Sequence, residues 1–264
     1  MKRMILIATI MLLLIVKIVS DTTAVKVNHV QLKNTKFTSE EKLKILQISD
    51  VHNRNLNGKY ARITELNPDL IVLTGDLIDR KTTDLINTIN LLEQLTTIGR
   101  PIYFVSGNHE QESSIFSELR EVLLDYDVIE LNNQSEVLEI DGIEFNLVGI
   151  ANHTTGHADL ITAFEAVDLS KPTVLLSHAP LITDVPVDLI LSGHTHGGQI
   201  RLPFIGGLVA PDQGFFPEYD KGAYQLESGA TLYIDSGLGT SLLPIRFLNQ
   251  AQVTLLTIEA SSIE

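Results

Sequence analysis

Read for alternation of apolar and polar positions, the chain first shows an apolar run, residues 4–16, with Thr9 its one polar residue, behind Lys2 and Arg3; Lys17 interrupts it and Ile18 and Val19 resume it. It has no polar face, so it predicts an N-terminal hydrophobic helix, read as a signal anchor or signal peptide over residues 1–20. Short apolar runs then recur at 43–49, 70–74 and 101–105, with helical spacing between them near 59–66 and 82–98. Strand alternating with helix predicts a layered α/β sheet. A helix is expected around 114–124, a hairpin at 135–140 and 143–150 about Asp141-Gly142, and a helix at 159–167. Strands follow at 173–176 and 187–191, and the last quarter is strand-rich at 223–226, 231–235 and 252–258. Residues 21–42 read as a linker with an alternating edge strand at Val25, Val27, His29 and Gln31, which leaves 43–264 as one catalytic-sized domain.

Composition removes several functions. With no Cys there is no disulfide, thiolate zinc site or cysteine nucleophile. A formal net charge of -14 and the absence of Trp oppose a general nucleic-acid surface. The basic N-terminus would stay in the cytoplasm, so the anchor reading puts the following domain outside the cell membrane, and cleavage would release it as a secreted protein.

Polar chemistry gathers where the apolar runs stop. Asp50-Val51-His52 follows the first, Gly75-Asp76 the second, Gly107-Asn108-His109-Glu110 the third, Ser177-His178 a later one, and Gly193-His194-Thr195-His196-Gly197-Gly198-Gln199 the run ending at Leu191. Open α/β sheets collect ligands at the carboxyl ends of their strands. Singly these residues serve as caps, turn formers or loop histidines; five of the eight histidines at such ends are hard to obtain from packing alone.

In this order the blocks resemble the signature of the calcineurin-like metallophosphoesterases, from Ile45 through His196. The run His194 to Ile200, the Pro-, Gly- and Phe-rich stretch to Pro217, and Gly237-Leu238-Gly239 resemble the membrane-associated bacterial branch. The resemblance implies a layered β-sandwich flanked by helices and two divalent metal ions. Asp50, His52, Asp76 and His196 would hold one ion and Asp76, Asn108, His178 and His194 the other, with Asp76 bridging. Oxygen and imidazole donors suit Mn, Fe, Zn or Ni. By the same resemblance a hydroxide between the metals attacks phosphorus, and His109 is general acid or stabilises the leaving oxygen. Glu110 departs from an Asp common at its position, and Asn53 from a small or apolar residue.

The implied activity is hydrolysis of a phosphoester, as a phosphodiesterase or phosphatase at the membrane. A nucleotide-linked lipid pyrophosphatase of the UDP-2,3-diacylglucosamine type is the rival enzyme, and a non-catalytic scaffold the rival of another class. Arg54, Arg80, Arg201 and Arg246 are candidates to meet substrate phosphate. The run 202–209 with Phe215 and Phe216 would form an apolar lip suited to a lipid-linked substrate.

Overall fold

The apolar runs carry hydrophobic side chains on both faces, which only a strand covered on both sides can bury. The computed structural model, which describes residues 1–34, 36, 42–240 and 243–260, shows what covers them. Helix α1 (Lys2–Thr23) leads into strand β1 (Lys26–Asn34), followed by β2 (Leu43–Ile48), α2 (Ala61–Thr64), β3 (Leu70–Leu73), α3 (Ile86–Thr96) and β4 (Ile102–Phe104). Then come α4 (Asn108–Gln111), α5 (Phe116–Asp125), β5 (Val128–Glu130), β6 (Gln134–Ile140), β7 (Ile143–Gly149), α6 (Leu160–Phe164), β8 (Thr173–Leu176) and β9 (Leu189–Ser192). Four two-residue strands, β10 (Arg201–Leu202), β11 (Gly206–Gly207), β12 (Val209–Ala210) and β13 (Gly214–Phe215), precede β14 (Gly222–Gln225), β15 (Thr231–Ile234) and β16 (Gln252–Ala260).

Two six-stranded sheets result, ordered β1-β16-β2-β3-β4-β5 and β14-β15-β9-β8-β7-β6. Leu43, Ile45, Leu70, Val72 and Tyr103 of the first pack against Phe145, Leu147, Val174, Leu176 and Leu191 of the second. The opposite faces pack outward, Leu46, Ile71 and Phe104 with Leu91 and Leu95 of α3 and Leu119 of α5, and Val148 and Ile190 with Ala163 of α6. This is the expected α/β sandwich flanked by helices, with period-two alternation sending successive residues to opposite layers.

Strand direction places the chemistry. Strands β2 to β5 are parallel, as are β7, β8, β9 and β15, so their carboxyl ends lie together. Because β16 is antiparallel to β2 and β1 is parallel to β16, β1 begins at that same end. Helix α1 therefore meets the sheet where β2, β3 and β4 finish.

The expected edge strand is β1, and positions 35 and 37–41 of the linker reading lie outside the described residues. Several helices are shorter than their spacing predicts. The one expected at 59–66 is a single turn, bounded by left-handed Gly58 and Asn67, with Pro68 beyond. The one expected from 82 begins at Ile86, because Thr82 Oγ1 accepts from the Asp79 N–H and Asp84 Oδ1 from the Ile86 N–H, satisfying the backbone in turns instead. The one expected at 159–167 keeps five residues, with Asp159 capping through the Thr162 N–H.

Candidate metal centre

All seven candidate ligands converge at the carboxyl end of the sandwich. Asp50, His52 and His196 offer ligand atoms within 4.8 Å of one another, as do Asp76, His178 and His194, and a third grouping joins His52, Asp76 and His109. Asp76 Oδ2 lies at the middle, 3.3 Å from His178 Nε2 and 3.7 Å from His52 Nε2. Asn108 Oδ1 is 3.2 Å from His178 Nε2, and His196 Nε2 is 3.6 Å from Asp50 Oδ1. Apart from His52 on the rim, all are buried.

The donor set fits cations. His178 Nδ1 faces the Thr74 carbonyl at 2.8 Å and must donate to it, so in the neutral ring Nε2 is a lone pair. That lone pair points at two further acceptors, Asp76 Oδ2 and Asn108 Oδ1. His194 repeats the arrangement: Nε2 faces Asp212 Oδ2 at 2.8 Å, and Nδ1 faces His178 Nε2 at 3.1 Å. Across the site, His52 Nε2 and His196 Nε2 stand 3.2 Å apart. Converging acceptors repel one another unless a proton or a metal ion lies between them.

The electrostatics lead the same way. Burial works against charge on His178, but Asp76 and Asp50 outweigh it and pull the imidazole up to about 10, so that without a cation a proton fills the place between Nε2 and Asp76. Burial works to raise Asp76, yet His178, which also bonds it, and His52 hold it well below the carboxylate range. Asp50 is pushed up to about 6, chiefly by burial and against the pull of His178. Burial lowers His52 to about 4 and, with His52 and Arg246 nearby, lowers His196 strongly, which keeps both rings in the neutral form a metal requires.

Backbone geometry is unusual here. Asp50, His52, Asp76, His194 and His196 all have φ between 50° and 69°, the left-handed region that side chains other than glycine avoid. The glycines of the motifs make room. A Cβ on Gly107 would overlap the Asp76 carboxylate, and one on Gly193 would overlap Ser49 Oγ and the Asp50 carboxylate.

His109 lies at the rim of this group, with Nδ1 facing the Arg80 backbone N–H at 3.1 Å and Nε2 facing the same residue's side chain, so both ring nitrogens meet Arg80 donors. The Arg80 guanidinium stands 3.1 Å from that Nε2 and pairs with Glu112 at 2.6 Å. Burial, with Arg80 adding to it, lowers His109 below the usual histidine value. Of the four candidate arginines, Arg80 alone adjoins His109. Arg246 is fully buried, with its guanidinium on the Ser236 and Gly239 carbonyls and 3.5 Å from His196 Nδ1. Arg54 is engaged by the Leu238, Thr22 and Thr23 carbonyls, and Arg201 by Asp220 and the Gly197 carbonyl.

Two groups escaped sequence reasoning. Asp212 orients His194, but it sits 18 residues downstream in an irregular loop that carries no strand-end signal. Glu110 is more than a variant neighbour of His109: its carboxylate is fully buried and accepts from the N–H groups of Asp76, Ile78 and Gly107 at 2.8, 3.1 and 2.7 Å. Two cavities flank the ligands. One of about 150 Å³ beside His194 is lined by His153, Pro180, Asp212 and Tyr219, and one of about 240 Å³ beside His52 by Thr22, Arg54 and Gly239. A larger one of about 630 Å³ between α5 and β5 holds none of these groups.

Residues 43–198 match the family model described as calcineurin-like phosphoesterase. The chain belongs to that family. This calcineurin-like phosphoesterase is 32% identical over 234 residues to the metallophosphoesterase YkuE of Bacillus subtilis (strain 168), covering 83% of this chain and 80% of YkuE. It is 32% identical over 254 residues to a bovine (Bos taurus) transmembrane protein with metallophosphoesterase domain, covering 84% of this chain and 54% of that protein. Among solved structures, a 5'-nucleotidase precursor from Thermus thermophilus aligns with a TM-score of 0.47 at 13% identity, covering 82% of this chain and 55% of that one. Family membership makes the protein a metal-dependent phosphoesterase.

Proposed function

We propose that the chain is a membrane-anchored hydrolase of phosphoesters that uses two divalent metal ions, one held by Asp50, His52, Asp76 and His196 and the other by Asp76, Asn108, His178 and His194. The observation that carries this reading is the convergence of His178 Nε2 and His52 Nε2 on Asp76 Oδ2 from both sides, as one shared carboxylate between two cations would require. Bound ions would supply Lewis-acid activation of water and neutralise charge on the phosphate. The chain's own groups do the rest. Asp76 is held by its neighbours in the ionised form, and its Oδ1 accepts from the His109 N–H at 3.0 Å, which ties the candidate acid to the candidate bridge. His109, whose Nε2 stands 4.0 Å from Asp76 Oδ2, would in its protonated form pass a proton to the leaving oxygen. Arg80 beside it would meet a phosphate oxygen through its forked donors.

Helix α1 supports the anchor. Its 22 residues average a hydropathy of 2.4 over the most apolar window, only 6% of which is buried. Its length of about 33 Å matches the hydrocarbon thickness of a bilayer. The transmembrane designation of the bovine relative and the basic Lys2 and Arg3 agree with an N-terminal anchor that leaves the catalytic part outside.

The test is turnover of an aryl phosphodiester and an aryl phosphomonoester by the full chain in detergent, with and without added Mn²⁺ or Zn²⁺. Asp76→Asn should abolish metal-stimulated turnover and reduce bound metal. His109→Ala should keep the metal and lose roughly 10²–10⁴-fold in kcat. Full turnover by Asp76→Asn would overturn the assignment.

A further inference from the structure

Among the described residues C-terminal to α1, fourteen large hydrophobic side chains are exposed, and eight of them fall in two adjoining segments, residues 202–216 and 243–248. The extremes are aromatic: Phe204 is fully exposed, Phe215 80% and Phe216 63%, with Ile205 at 59% beside them. Solvation alone does not favour such a concentration. Phe204 and Phe216 also have φ of 68° and 55°, a conformation costly for a bulky residue, with no packing against the core to offset it. Something outside the chain has to cover these rings.

We infer that the loops of β10 to β13 form a second membrane contact, inserting Phe204, Ile205, Phe215 and Phe216 into the leaflet from which α1 emerges. This rests on the anchor reading above. Three observations choose a lipid surface over another protein. First, all of these segments lie at one end of the sandwich: α1 enters β1 there, and the β10–β13 loops follow His196 past the carboxyl end of β9. Second, the end of α1 is fastened to the neighbouring backbone rather than tethered. The Arg54 guanidinium donates to the Thr22 and Thr23 carbonyls at 2.6 and 2.8 Å, the Arg246 N–H to Thr22 Oγ1 at 2.8 Å, and the Ala251 N–H to the Asp21 carbonyl at 2.9 Å. Third, the next residue after Arg246 joins the aromatic loops directly, because the Phe247 carbonyl accepts from the Arg201 N–H at 2.9 Å. The helix exit and the aromatic tips are thus separated by one segment of chain.

The surface also adjoins the metal centre. Thr22 lines the cavity beside His52, and Asp212, three residues before Phe215, bonds His194. Phe and Leu side chains on the apolar face of a membrane-surface segment bury at the boundary of headgroups and acyl chains. With a net charge of -14 the body is not drawn to anionic lipid, so the contact is apolar and insensitive to salt.

The absence of Trp from the chain provides the experiment. Phe204→Trp and Phe216→Trp are made singly in the full-length protein, which is reconstituted into phosphatidylcholine–phosphatidylglycerol vesicles with or without brominated acyl chains. Leu124→Trp is the control, on α5 at the opposite end of the parallel strands and 75% exposed. The expected result is quenching by brominated lipid at 204 and 216, unchanged by high salt, and none at 124. Vesicle-bound protein whose fluorescence at 204 and 216 is not quenched overturns the inference while the anchor stands. A blue shift at those positions without lipid quenching assigns the patch to a second copy or another protein, and also overturns it. Failure of the unmodified chain to partition with vesicles overturns both readings.

Discussion

Glu110 offers the sharpest test of how the centre is held. It is the third residue of α4 and reaches back to the Gly107 N–H in the manner of a capping box, while the same carboxylate binds the N–H groups of Asp76 and Ile78. It therefore clamps the loop after β3 to the loop after β4. Glu110→Ala strands three buried donors at about 1–3 kcal/mol each. Part of this is returned, because burial, with Asp76 adding to it, pushes the Glu110 carboxyl up to about 7 from 4.5, and the variant no longer buries that charge. A net loss of about 3 kcal/mol follows. Glu110→Gln keeps an acceptor for two donors but turns an amide N–H₂ toward the third, so its loss should be smaller. The assay is urea unfolding of the detergent-solubilised chain in EDTA, followed by far-ultraviolet circular dichroism and extrapolated linearly, so that metal binding does not enter. Glu110→Ala as stable as the parent, or more stable, would refute the clamp, since three stranded donors should outweigh the charge burial returned. So would Glu110→Gln proving the worse of the two.

Other outcomes follow from the same geometry. Gly107→Ala pushes a methyl into the Asp76 carboxylate and should lower bound metal, read by elemental analysis of the purified chain, while Gly142→Ala, whose added Cβ meets nothing, should leave metal content unchanged. Burial lowers Lys221 to about 8 from 10.5, so the unfolded chain binds that proton more tightly than the folded one. Stability should accordingly be reduced below pH 8 and recover as pH rises toward 10.5, by up to about 3 kcal/mol; Lys221→Met should flatten that rise in urea melts taken across the range.

The clustering of the candidate ligands was legible because each sits where an apolar run stops, and the end of a buried strand is readable in one dimension. The sandwich follows from the same runs, since strands apolar on both faces need a cover on each side. What stayed hidden depends on approach across long sequence distances. Nothing near Arg246 signals burial: its partners, Ser236 and Gly239, are carbonyls that any sequence possesses. Asp212 looks like one turn former among several in its loop. Strand β5 has only three residues and adds to the sheet edge through backbone bonds to β4, with no apolar periodicity to announce it. The helix expected from 82 shortened where Thr82 and Asp84 satisfied backbone N–H groups locally, a competition that apolar spacing does not record.

The left-handed backbone at Asp50, His52, Asp76, His194 and His196 sets the protein's function against its own fold. Each of these positions would be more comfortable as glycine, so deleting a ligand by substitution to glycine relieves torsional cost as well as removing a donor. A screen for thermal stability carried out without metal would therefore enrich variants that have lost the centre, whereas a screen in metal would retain it. On the two-metal reading, the chain keeps these residues strained because the cations that would stabilise them are also what it works with.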